Sequence, residues 1–158
     1  MTDTPTSDAS SGHARSGVGQ LGADRPLPRV LLVDDEPEST EMLALRLGKR
    51  GFPTARAASG EEALEHLARE GADVVVMDVK MPGMGGMRAL ERIRAEFPGV
   101  EVIMLSGHAD MEVAVEGMRL GAFGYLMKPT DFDELLFKIE DAYTQCQLDR
   151  RAAARKGP

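Results

Sequence analysis

The stretch Val74-Val75-Val76-Met77-Asp78 decides how this chain folds, because an unbroken apolar run stops abruptly at a carboxylate. Four apolar residues in a row, three of them β-branched, suit a strand buried on both faces, as in the middle of a parallel sheet. Asp78 then marks the carboxyl end of that strand. In an open α/β sheet, ligands gather in the crevice outside those ends, near the point where strand order reverses.

Outward from this stretch the same pattern returns. Arg29-Val30-Leu31-Leu32-Val33-Asp34-Asp35 is a second apolar run ending in acids, and Pro37 follows where a first helical turn accepts proline. The helix it opens carries Met42, Leu43, Leu45 and Leu47 and ends near Gly51. Phe52-Pro53-Thr54-Ala55 reads as a short strand, placed at a sheet edge by its proline. Ser59 and Glu62 form a capping box for the next helix, which Gly71 closes. Beyond Asp78, the loop Lys80-Met81-Pro82-Gly83-Met84-Gly85-Gly86 leads into a helical stripe of Met87, Leu90, Ile93 and Phe97. Val100 to Leu105 is a fourth strand, ending at Ser106-Gly107-His108. Met111, Ala114, Val115 and Met118 share one face of a helix that Gly117 weakens by roughly 0.5–1 kcal/mol relative to alanine. Ala122 to Met127 is a fifth strand, followed by Lys128-Pro129, and Thr130 can cap a last helix with Phe132, Leu135, Leu136, Ile139 and Tyr143 on its apolar face.

Five alternations of strand and helix imply a parallel sheet covered on both faces, with right-handed crossovers. The expected organisation is a flexible polar tail over residues 1–27, one α/β domain over 28–146, and a short basic tail over 147–158. With 158 residues, 42% of them hydrophobic, the chain has the material for one core. A net charge of -7 and a pI near 5.0 argue against a surface for nucleic acid or anionic lipid. The one cysteine, Cys146, excludes an internal disulfide and reads as a surface or half-buried bystander. No apolar run approaches the roughly 20 residues of a membrane span, and the N-terminus lacks the apolar segment of a secretory signal, so a cytoplasmic protein is expected.

The geometric consequence of the alternation is that Asp34, Asp35, Asp78, Ser106 and Lys128 all fall at one edge of the sheet. Three carboxylates so placed raise one another's pKa unless a cation neutralises them. Oxygen ligands without a Cys/His set suit Mg²⁺ better than Zn²⁺. If one carboxylate attacks a phosphoryl group, the metal, a lysine and a hydroxyl can neutralise the transferring oxygens, and Asp78, ending the central strand, is the best-placed nucleophile.

Asp34-Asp35, Asp78, Ser106, Tyr125 and Lys128-Pro129, together with the loop Asp78-Val79-Lys80-Met81-Pro82-Gly83-Met84, resemble the receiver domain of two-component response regulators. Ser106-Gly107-His108-Ala109-Asp110 and Gly121-Ala122-Phe123-Gly124-Tyr125 are similar to receivers of the nitrogen-regulator kind. The resemblance implies a flavodoxin-like (βα)5 sheet of order 2-1-3-4-5. It implies that Asp78 accepts a phosphoryl group from a histidine kinase or phosphotransfer protein. Mg²⁺ would then be held by Asp35, Asp78 and the Lys80 carbonyl, and by Asp34 through water. By the same resemblance Lys128 pairs with the phosphoryl oxygens, Ser106 moves to donate a hydrogen bond to them, and Tyr125 turns inward. The Lys128-Pro129 bond would be cis. Lys80 and His108 flank the route of water to the acyl phosphate and would tune its lifetime.

The expected function is a single-domain response regulator, switching a protein partner or feeding a phosphorelay, with no turnover chemistry beyond self-phosphorylation and autodephosphorylation. DNA and membrane partners are not expected, and a phosphorylation-dependent homodimer is one form the output can take. Two alternatives stand beside this: a receiver-like interaction module that works without phosphate, and a receiver cut from a longer regulator. An aspartyl-phosphatase of the haloacid dehalogenase kind needs a second aspartate two residues after its nucleophile, and Lys80 stands there.

Overall fold

The computed structural model describes residues 26–107 and 111–156. Val74–Asp78 is β3, the middle of five parallel strands, and every one of its residues is buried. In chain order the elements are β1 (Val30–Val33), α1 (Pro37–Lys49), β2 (Thr54–Ala57), α2 (Gly60–Arg69), β3, α3 (Gly85–Glu96), β4 (Glu101–Ser106), α4 (Met111–Arg119), β5 (Gly124–Met127) and α5 (Phe132–Lys156). The strands lie in the order β2-β1-β3-β4-β5. This is the flavodoxin-like 2-1-3-4-5 arrangement, with the reversal between β1 and β3. Val30 pairs with Val74, and Val74 with Glu101, so β1, β3 and β4 run in step and stop together.

Alternation along these strands builds two cores. Leu31, Val33, Val75, Met77, Val102 and Met104 face α2 and α3, where Ala63, Leu64, Leu67, Ala89, Leu90 and Ile93 meet them. Val30, Leu32, Val74, Val76, Ile103 and Leu105 face the other way, against Leu47 of α1 and Phe132, Leu135, Leu136 and Ile139 of α5. A continuous apolar run is the sequence of a strand with a helical layer on each side.

Local signals largely behave as their chemistry requires. Pro37 opens α1, and Ser59 caps α2 by accepting the Glu62 N–H, while Glu62 returns a carboxylate oxygen to the Ala58 N–H at 2.9 Å. The edge strand lies two residues later than Phe52–Ala55, because Phe52 and Pro53 lead into the sheet and only the Pro53 carbonyl joins it, accepting from Val30 N–H. Thr130 does not cap α5. Its hydroxyl donates to the Met127 carbonyl at 2.9 Å, and the helix starts at Phe132. The Lys128-Pro129 bond is cis. The stripe on α4 is inverted relative to a buried face: Met111 is 76% exposed, Val115 and Met118 are exposed as well, and Gly117 is the buried residue. A Cβ at Gly117 would stand in ordinary contact, 3.4 Å from the Met87 methyl and 3.8 Å from the Tyr125 ring.

The base of the sheet holds what the sequence did not announce. Residues 147–156 continue α5 as helix where a tail was expected. Arg150 reaches Asp73 at 2.8 Å, and its other nitrogen donates to the Gly99 carbonyl at 3.3 Å. Cys146 is fully buried rather than near the surface, with its thiol on the Gly99 carbonyl at 3.0 Å, and burial pushes that thiol up to about 11. Burial would raise the Asp73 carboxyl, but hydrogen bonds from Arg29 and Arg150 outweigh it and hold the group below its ordinary value. Glu101 is only 4% exposed. Burial, followed by a hydrogen bond shared with Asp149, pushes it up to about 7, against the pull of Arg94 at 3.7 Å. No helix among the described residues is long and apolar enough to cross a membrane.

Folding therefore favours the protonated form of Glu101, so its contribution to stability is complete at low pH and is lost as pH rises through about 7. Thermal or urea unfolding at pH 5 and pH 8 should show Glu101→Gln gaining on the wild type at the higher pH by on the order of 1–2 kcal/mol. Parallel curves for the two proteins would contradict this.

Candidate functional site

The opposite end of the sheet gathers the residues singled out by the strand ends. Asp34 follows β1, with its N–H on the Ala57 carbonyl at 3.1 Å and one carboxylate oxygen accepting the Glu36 N–H at 3.0 Å. Asp35 is exposed beside it. Asp78 ends β3, and carboxylate oxygens of Asp34, Asp35 and Asp78 all lie within 4.8 Å of one another. Among the described residues these three make the only such acidic group of metal-ligating size. Lys128, just after β5, places Nζ 3.2 Å from Asp34 and 3.4 Å from Asp78. Its backbone N–H donates to the Ser106 carbonyl at 2.7 Å, which ties the ends of β4 and β5 together. Ser106 is buried at that junction.

One lysine does not balance three acids. Burial, then the neighbouring Asp34 and Asp35 charges, raise the Asp78 carboxyl above its ordinary value, and Lys128 pulls it down without cancelling them. Burial would lower the Lys128 ammonium, but its bonds to Asp34 and Asp78 prevail and leave it raised. The donor set is all carboxylate oxygen, which fits a hard divalent cation. A cation at the three acids, an ammonium and a buried hydroxyl around one partly accessible carboxylate make a site able to receive a transferring phosphoryl group.

Lys80 stands in the loop after β3 with an exposed side chain. His108 lies outside the described residues. Tyr125 packs against the core on the α2–α3 side, near Gly117, and its buried hydroxyl meets no hydrogen-bonding partner among the described residues. The sequence did not reveal a cavity of about 430 Å³ next to the acids, walled by Leu32, Met42, Leu43, Val76, Leu105 and Leu135 and reaching Asp34, Asp78 and Lys128. Its walls come from β1, α1, β3, β4 and α5, a meeting of distant elements that periodicity does not encode.

The family model described as the response regulator receiver domain matches residues 30–140. The chain is 41% identical over 114 residues to the regulatory protein AtoC of Escherichia coli K12, covering 72% of this chain and 25% of AtoC. It is 36% identical over 118 residues to the DNA-binding transcriptional regulator NtrC of the same strain, covering 75% of this chain and 25% of NtrC. It thus spans about a quarter of the length of these relatives. A response regulator receiver domain protein of Clostridium thermocellum superimposes with a TM-score of 0.73 at 34% identity, over 77% of this chain and 98% of that one. NtrX of Brucella abortus superimposes with a TM-score of 0.75 at 29% identity, over 81% of this chain and 29% of that one.

Because the fold raises the Asp78 pKa, ionising Asp78 costs stability at any pH above its titration, and stability falls as pH rises through that range. Asp78→Asn should therefore melt higher than the wild type at pH 7 in metal-free buffer. The gain should shrink as the pH approaches 3. A variant no more stable than the wild type at pH 7 would show that Lys128 already balances the acids.

Proposed function

The chain belongs to the response regulator receiver family, and from that premise we propose that Asp78 is its phosphoacceptor, taking a phosphoryl group from a phosphohistidine of a histidine kinase or phosphotransfer protein. The observation that carries this reading is the placement of Asp78 at the end of the central strand, 3.4 Å from the Lys128 ammonium and within 4.8 Å of two further acids. An Asp78 carboxylate oxygen attacks phosphorus, the P–N bond breaks, and the departing imidazole keeps the electron pair and takes up a proton. Lys128 shifts its hydrogen bond from Asp34 to the phosphoryl oxygens, and the Ser106 hydroxyl donates to another. Asp34, Asp35, Asp78 and the Lys80 carbonyl would hold Mg²⁺, with Asp34 acting through water. When bound, that ion offsets the negative charge that otherwise repels an incoming phosphoryl group.

The product is a conformational state rather than a released compound. Phosphorylation supplies new acceptor oxygens that pull on Ser106 and Lys128, whose backbones are joined. Such a pull bears on β4 and β5, then on Tyr125, and so on the packing of α4 over Gly117. The exposed Met111, Val115 and Met118 of α4, with Met127 of β5 and Phe137 of α5, form the face that a partner protein would read. Turnover is confined to self-phosphorylation and autodephosphorylation, with Lys80 and His108 setting the lifetime, and the place of action is the cytoplasm. The protein works either as a single receiver or as the receiver portion of a longer regulator.

Incubation with Mg²⁺ and acetyl phosphate or phosphoramidate should add the mass of one phosphoryl group to the intact protein, and Asp78→Ala should abolish the gain. Persistence in Asp78→Ala would move the acceptor elsewhere, and no gain from these donors or from a phosphorylated kinase would leave a phosphate-independent module. Lys80→Ala should change the half-life of the phosphorylated protein several-fold while leaving Mg²⁺ affinity near that of the wild type. Equal half-lives would remove Lys80 from that role.

A further inference from the structure

Helix α3 begins with two glycines that are present for different reasons. Gly85 has a φ of +78°, a left-handed backbone that glycine adopts without steric cost. Gly86 has no such requirement and sits inside the first turn, where alanine would favour the helix by about 1 kcal/mol. What excludes a side chain at Gly86 is space. A Cβ built there would overlap the carbonyl oxygen of Asp78 and stand 2.8 Å from both Cα and the carbonyl oxygen of Val79. All three are backbone atoms, which cannot swing aside as the end of a long side chain can.

Hydrogen bonds hold Val79 through both of its peptide groups. The Gly86 N–H donates to the Val79 carbonyl at 2.9 Å, and the Val79 N–H donates to the Leu105 carbonyl of β4 at 2.9 Å. Helix α3 has little room to retreat. Ala89 lies 3.0 Å from where a Cβ on Gly60 of α2 would be, and Ala89, Leu90 and Ile93 are fully buried.

We propose that Gly86 is a positioning residue for phosphoryl transfer: its missing side chain lets the first turn of α3 seat directly on the Asp78–Val79 peptide. That contact sets where the Asp78 carboxylate and the loop bearing the Lys80 carbonyl stand relative to Asp34, Asp35 and Lys128. The inference rests on the phosphoacceptor role of Asp78. Displacement of a reacting group by on the order of 1 Å costs about 10²-fold in rate, so a methyl group at position 86 acts on chemistry well before it unfolds the domain.

The test compares the wild type, Gly86→Ala and a control, Gly48→Ala, whose added methyl meets nothing within 4 Å. Three quantities are read on the full chain: cooperative thermal unfolding, Mg²⁺ affinity by calorimetry without any donor, and the rate of phosphorylation by acetyl phosphate at saturating Mg²⁺. Gly86→Ala should unfold cooperatively, bind Mg²⁺ about tenfold more weakly and react on the order of 10²-fold more slowly. Gly48→Ala should match the wild type in affinity and rate. A folded Gly86→Ala with wild-type affinity and rate overturns the proposal. Should Gly86→Ala fail to fold, amide hydrogen exchange of the wild type decides: the Gly86 amide should exchange as slowly as β3, and exchange as fast as the loop over residues 80–84 overturns the proposal. A wild type that takes no phosphoryl group removes the premise, whereas a normal Gly86→Ala beside an active wild type removes the inference alone.

Discussion

Three carboxylates held against one lysine at the carboxyl end of a parallel sheet are the constraint on which the rest of this structure depends. Asp34, Asp35 and Asp78 bring their oxygens within 4.8 Å, and among the described residues Lys128 is the cation paired with them. Such a cluster does not arise from local sequence preference, and it stores repulsion that raises the Asp78 carboxyl. It persists because β1 and β3 are paired along their length and buried on both faces, so neither strand end can move away from the other. Stability from the core is set against an unfavourable charge distribution at its edge, as is common where a site must bind something.

Acids at the two ends of the sheet meet different neighbours. At the base, Asp73 is met by Arg29 and Arg150, and its carboxyl is held below the ordinary range. The Arg150–Asp73 pair pins the last turns of α5, while Glu101 at the same end stays raised to about 7 by burial. At the top, three carboxylates face one ammonium, two positive charges short. A divalent cation at the three acids would supply that charge.

Much of this was legible in the sequence, for reasons that differ by residue. Val74 to Asp78 could be placed because a doubly buried strand must be apolar throughout, and the acids were visible because each interrupts such a run. Ser59, Glu62 and Pro37 were readable as helix starts because capping is settled within four residues. The exposed stripe of α4 was not readable as exposed. Periodicity tells which residues share a face, whereas Gly117 facing the sheet, with the methionines outward, depends on what α4 meets there. Thr130 was misread for a similar reason, since its hydroxyl found a carbonyl three residues back instead of a helix start.

By itself, then, the sequence determined the alternation of strands and helices, the two-sided burial of the sheet and the set of residues at its carboxyl edge, since these follow from apolar periodicity and from where it stops. Tertiary structure alone decided the continuation of α5 past Cys146, the burial of Glu101 beside Asp149, the cavity beside the acids and the closeness of Gly86 to Asp78. Each of these depends on groups distant in the chain or on the absence of an atom: Arg150 and Asp73 are 77 residues apart, and a glycine records only that nothing is there. Local chemistry can be read from neighbours in sequence, but contact between remote residues is created by the fold.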